Sequence, residues 1–111
     1  MDGLSLYQAI EAALEAQDEA VDDFKEAGFD KARKERDYRK ALCRKILDLR
    51  AEEFPVTITQ DVARGCDEVE SLRFDRDCAE VVFEASKHAI FTGNIRLRVL
   101  EMMAKQEFNA R

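Results

Sequence analysis

The apolar residues from Leu6 to Leu49 keep one helical phase, and that continuity constrains the fold more than any other feature of the chain. Leu6, Ile10, Leu14, Val21 and Phe24 fall on one stripe at about 100° per residue. Tyr38, Leu42, Ile46 and Leu49 continue it with a slow heptad drift. Ala9, Ala12, Ala13, Ala16 and Ala20 fill the intervals and raise helix propensity. Gly28-Phe29-Asp30 is the doubtful point, because Gly28 suits a left-handed C-cap and Asp30 the N-cap of a following helix. A loop has no reason to preserve phase, so the spacing predicts one helix over about 4–53, with Ser5 as its candidate N-cap. Two helices broken at Gly28 are the alternative. At 1.5 Å per residue the single helix is about 75 Å long and must pack along its extent against another long element.

Phe54-Pro55 ends this helix, since proline disfavours α geometry in the residue before it. Thr57 or Thr59 then caps a short helix over about 58–72, with Ile58, Val62, Val69 and Leu72 apolar. A second long helix is predicted over about 74–108. Its stripe runs through Ala79, Val82, Phe83, Ser86, Ala89 and Ile90, then on through Gly93, Leu97, Leu100, Ala104 and Phe108. Phase survives Thr92-Gly93-Asn94, so a continuous helix with a kink at most is expected there. The predicted fold is all-α: one domain over 1–111, a long antiparallel helical hairpin with a short connecting helix, packed into a helical-bundle oligomer.

The expectation of an oligomer comes from a second stripe. Phe91, Ile95, Val99 and Met102 are spaced i, i+4, i+8 and i+11, on a different side from Leu97, Leu100 and Ala104. A helix apolar on two faces needs two partners, and a simple hairpin supplies one. These four residues are therefore the candidate oligomer interface. The competing reading folds the first helix back over them at Gly28 to give a monomeric bundle.

Catalytic machinery is hard to find. His88 is the only histidine, and it reads as a surface side chain on a helix near Lys87, without a Ser or Cys placed for it to activate. Three cysteines, Cys43, Cys66 and Cys78, form no CxxC pair and lack the second histidine that a zinc set would need. Cys66 and Cys78 are expected to be small buried hydrophobes. The acids between Asp67 and Glu80 lack the Asp-x-Asp-x-Asp-Gly loop that wraps calcium, and four scattered glycines make no phosphate loop. The expectation is a protein without catalytic residues, metal or cofactor. No apolar run approaches the ~18 residues that span a bilayer, no signal-peptide order opens the chain, and the thiol usage suits a reducing cytoplasm.

Net charge is −6, which argues against coating nucleic acid, but the charge is segregated. Residues 1–30 carry a net −8, residues 31–50 a net +6, residues 51–80 a net −6 and the remainder +2. Within the basic block, Arg33, Arg36, Lys40 and Arg44 are spaced three, four and four and form one helical stripe. Such a row suits phosphates or a carboxylate-rich partner. It is equally what a solvated face, or pairing with the acidic segment of a neighbouring subunit, would look like. Gln60-Asp61-Val62-Ala63-Arg64-Gly65 has the flavour of a helix-turn-helix core. Its glycine comes too soon after Ala63, however, and the following helix is acidic, which argues against direct DNA binding.

Three pieces in order, Tyr38-Arg39-Lys40-Ala41-Leu42, Phe54-Pro55-Val56-Thr57 and Asp61-Val62-Ala63-Arg64-Gly65 leading to Leu72-Arg73-Phe74-Asp75-Arg76, resemble small helical proteins encoded by phages and prophages of Gram-positive bacteria. The resemblance covers about two-thirds of the chain and contains no chemical motif. It implies an accessory role beside recombination and replication genes, exercised in the host cytoplasm, and supplies no catalytic residues. The leading expectation is an accessory protein acting by protein–protein contact with a host or phage partner. Sequestration of a nucleotide-like anionic small molecule at a subunit interface, and a purely structural oligomerisation scaffold, are the alternatives.

Overall fold

The structure, a computed structural model, describes residues 2–110. It is an all-α helical hairpin of α1 (Gly3–Ala51), α2 (Val56–Arg64) and α3 (Asp67–Asn109), with no strand among the described residues. Neither long helix breaks at its glycine: Gly28 lies inside α1 and Gly93 inside α3, both without positive φ.

Each helix end has a local cause. Asp2, rather than Ser5, caps α1: its Oδ1 accepts the Ser5 amide at 2.7 Å and its carbonyl accepts the Leu6 amide at 3.0 Å. The Ser5 amide, then the Ser5 hydroxyl, hold the Asp2 carboxyl below the ordinary carboxylate range. At the other end Glu53 takes a left-handed conformation, φ 67°. Its amide reaches the Arg50 carbonyl and the Phe54 amide reaches the Leu49 carbonyl, both at 3.1 Å, which is a Schellman closure. Pro55 follows and starts α2 with extended backbone, φ −57° and ψ 137°.

Neither threonine caps α2. Pro55 occupies the cap, and Thr59 is buried one turn inside, donating its hydroxyl to the Pro55 carbonyl at 2.7 Å. The turn between α2 and α3 falls at Gly65 and Cys66, not at the expected boundary near residues 72–74. The apolar character of Val69 and Leu72 is compatible with either helix, but Val69, Leu72, Arg76 and Ala79 are spaced three, four and three, so Val69 and Leu72 open the α3 seam. Asp67, Glu68 and Glu70 in the first turn of α3 suit the positive end of its dipole.

Contacts gather into two compact units, Ala27–Phe83 and Met1–Glu26 with Glu84–Arg111. In the first, Leu49, Thr59, Ala63 and Val69 are buried at the corner, and Ala27, Tyr38 and Ala79 along the helix pair. In the second, among the described residues, only Leu6 and Ala13 are buried, with Ile10, Phe24, Ile90, Leu97 and Leu100 half-buried. Leu14, read from the sequence as part of the stripe, is 50% exposed. The α1 positions that face α3 advance by alternating threes and fours through Ala13, Gln17, Ala20 and Phe24, which leaves Leu14 to one side.

The two helical glycines have different surroundings. A Cβ at Gly93 would collide with the side-chain amide of Gln17, which donates from Nε2 to the Ile90 carbonyl and to Asn94 Oδ1, each at 2.9 Å. At Gly28 a Cβ would meet the Phe83 ring at 3.5 Å, ordinary van der Waals contact. Since glycine costs a helix interior about 1 kcal/mol relative to alanine, Gly28→Ala is expected to stabilise the fold by about 0.5–1 kcal/mol. Gly93→Ala gains less, because it displaces Gln17. Denaturant titration at fixed protein concentration checks both; a lower midpoint for Gly28→Ala would contradict the continuous α1.

Candidate functional site

The basic row comes first. Arg33, Arg36, Lys40 and Arg44 are all exposed on α1. Arg33 lies 3.8 Å from Asp30 and Arg36 3.4 Å from Asp37, both through solvent-facing atoms, and such pairs contribute little. Within the same unit a cavity of about 680 Å³ is lined by Lys31, Glu35, Arg76, Glu80 and Phe83 among others. None of the four row residues lines it. The row also continues a line of acids: Glu15, Glu19, Glu26, Arg33, Arg36 and Lys40 recur at three- and four-residue steps, with Asp22 and Phe29 between. From Glu15 to Lys40 this outward line of α1 is mostly charged, acidic before Phe29 and basic after it, with Phe29 itself 65% exposed and Leu47 beyond it 64% exposed.

The cations that do meet the helix pair were not visible as such in the sequence. Lys31 Nζ stands 4.6 Å from the Phe83 ring centroid, and the Arg76 guanidinium 4.5 Å from the Tyr38 ring. Arg76 also pairs with Glu35 at 3.6 Å and Asp77 at 3.0 Å. Partial burial works against its charge, but Asp77 and Glu35 outweigh that and raise its pKa. Stacked on Tyr38 and paired on its far side, Arg76 fills a seam position with an apolar stem and a satisfied head. These groups are engaged with one another, so the cavity beside them is an inter-helix groove with internally balanced charge.

α3 presents the reverse of α1. Its inward positions step by threes and fours through Val69, Leu72, Arg76, Ala79 and Phe83 in one unit, and Ser86, Ile90, Gly93, Leu97 and Leu100 in the other. The outward positions two residues beyond each of these are a second row with the same steps. In the first unit they are Phe74, Cys78 and Val81; in the second, Ala85, His88, Thr92, Ile95, Val99 and Met102. No Asp, Glu, Lys or Arg interrupts the row, and every member is exposed. Phe74 is 67% exposed, Val81 69% and Met102 62%, with Phe91 alongside at 63%. Of the four residues expected at an oligomer interface, Ile95, Val99 and Met102 end this longer row and Phe91 borders it.

Two cysteine expectations are corrected. Cys78 is exposed on this outer row and Cys66 is half-buried in the turn, because the narrow seam leaves no interior for either. Cys43 is exposed on α1. His88 is exposed, and a shallow depression beside it is lined by Glu84, Lys87 and Phe91 of the same helix. Among the described residues no three His, Cys, Asp or Glu side chains converge as metal ligands would, and no helix is long and apolar enough to cross a membrane. No family model matches the chain, and no curated protein or solved structure is significantly similar to it.

Because the basic row on α1 is uncoupled from the helix seam, replacing both Arg36 and Lys40 with Glu is expected to change the unfolding free energy by no more than about 0.5 kcal/mol. A loss of 2 kcal/mol or more in equilibrium denaturation would show that the row has a structural role.

Proposed function

We propose that this is a non-enzymatic helical accessory protein that self-associates through the outer side of α3 and acts by binding other proteins. The observation that carries the reading is the uncharged, exposed and largely apolar row on α3, facing away from α1. Contiguous exposed apolar surface of this kind marks interaction surfaces. Burying the outer row of α1 instead would desolvate charges along much of its length, a cost that pairing between copies often fails to repay, whereas the α3 row carries no charge.

The accessory role, in the cytoplasm of a host cell with a host or phage protein as partner, is the part of the proposal that the resemblance to phage and prophage proteins supports. In this reading the α3 rows form a coiled-coil-like seam between copies, and the charged outer side of α1 stays available to a partner. Sequestration of a nucleotide-like anion would need Arg33, Arg36, Lys40 and Arg44 to face a cavity, and within one chain they face solvent.

The test is solution mass. The wild-type chain at tens of micromolar is expected to sediment above its 12.7 kDa monomer mass. Ile95→Asp, which places a charge in the row without touching the α1–α3 seam, is expected to sediment as a monomer with unchanged helical circular dichroism. A monomeric wild type, or an Ile95→Asp variant that assembles normally, rejects the proposal.

A further inference from the structure

Accepting self-association through α3, we infer that the occupant of this face is α3 of a second copy running antiparallel, about a twofold axis close to His88. The inference rests on the charges that border the apolar row. On one side every seventh residue is Glu70, Asp77, Glu84, Phe91, Arg98 and Lys105, acidic toward the start of α3 and basic toward its end. The other border repeats the polarity, with Glu68 and Asp75 early, Val82 and Ala89 in the middle and Arg96 late. All of these residues are exposed.

A parallel pair would set acids against acids at one end and bases against bases at the other, and like charges flanking a helical seam are repulsive. An antiparallel pair reverses this at both ends. The Glu70–Asp77 stretch of each copy meets the Arg98–Lys105 stretch of its partner, and the Asp75 border meets the Arg96 border. Asp77, whose Oδ1 already accepts from Arg76, retains Oδ2 for this contact. Around the axis Val82 and Ala89 of the second border coincide without charge, and on the first border Glu84 of each copy falls opposite Phe91 of the other. Apolar content is distributed to match, with Phe74 and Val81 of one copy reaching Ile95, Val99 and Met102 of the other. A twofold arrangement of this kind is closed, so it terminates at a dimer.

Paired distances between spin labels test the arrangement in the full chain. Single labels are introduced at Lys87→Cys and, separately, at Gln106→Cys, with Cys43, Cys66 and Cys78 replaced and helicity checked by circular dichroism. The antiparallel dimer places the two labels at position 87 within about 25 Å of each other. It separates those at position 106 by roughly 50 Å, since each lies some 18 residues from the axis at 1.5 Å per residue. Short distances at both positions would overturn the antiparallel arrangement while leaving self-association standing. A defined stoichiometry above two would do the same. A monomer with no dipolar coupling at either site would overturn self-association itself.

Unlabelled wild-type protein gives a second measurement that needs no substitution. Attraction between opposite charges is screened by salt, so the dimer Kd is expected to rise by about threefold or more between 50 and 500 mM NaCl. A parallel pair, relieved of repulsion, would tighten over the same range, and that result would overturn the inference.

Discussion

A long helix packed against one other helix can bury only one line of its surface, and the rest of this structure follows from how that line is filled. The inward positions of α1 and α3 advance by threes and fours, and many hold small or polar side chains: Ala13, Gln17, Ala20, Ala27, Lys31, Ser86 and Gly93. Such a seam brings backbones close but removes little apolar area from water. In the unit formed by the ends of the chain, among the described residues, only Leu6 and Ala13 are buried. At about 25 cal/mol per Å², a line this thin contributes modestly, and the larger apolar side chains are spent elsewhere.

Several of those side chains, Phe74, Val81, Ile95, Val99 and Met102, line up on the outer row of α3, while Leu14, Phe29 and Leu47 are exposed on α1. Polar seam positions are tolerated where each has a partner: Gln17 bridges to the α3 backbone over Gly93, and Arg76 is held between Tyr38, Glu35 and Asp77. Such groups set which residues of α1 face which residues of α3, because Gln17 fits only over a glycine. With the register fixed, the outer row is fixed too, being two residues out of step with the seam. The same geometry that gives a weak intramolecular core therefore presents a continuous apolar surface.

Much of this was legible in the sequence. The helix pair, the short connector, the continuity of α1 through Gly28 and of α3 through Gly93 all follow from phase preserved across the glycines. Three things did not follow. The turn at Gly65–Cys66 was hidden because Val69 and Leu72 are apolar in either helix, and only their spacing to Arg76 assigns them to α3. Leu14 falls on the apolar stripe of the sequence yet lies to one side of the seam, whereas the polar Gln17, Lys31 and Arg76 occupy it; in a narrow seam, position decides and size does not. The outer row was legible only where it is densest, from Phe91 to Met102. Its earlier members are spaced by Cys78, Ala85 and His88, which dilute the pattern until the seam is known.

The claim that organises this account is that the outer side of α3 is covered in the assembled protein while that of α1 is not, and the chain carries its own reporters for it. Cys78 lies on the α3 row and Cys43 on α1, and both are exposed in the single chain. Their alkylation rates, followed by mass spectrometry over a range of protein concentrations, test the claim directly. The account predicts that Cys78 becomes progressively protected as concentration rises while Cys43 reacts at a constant rate. Equal and concentration-independent reactivity of the two thiols would contradict it.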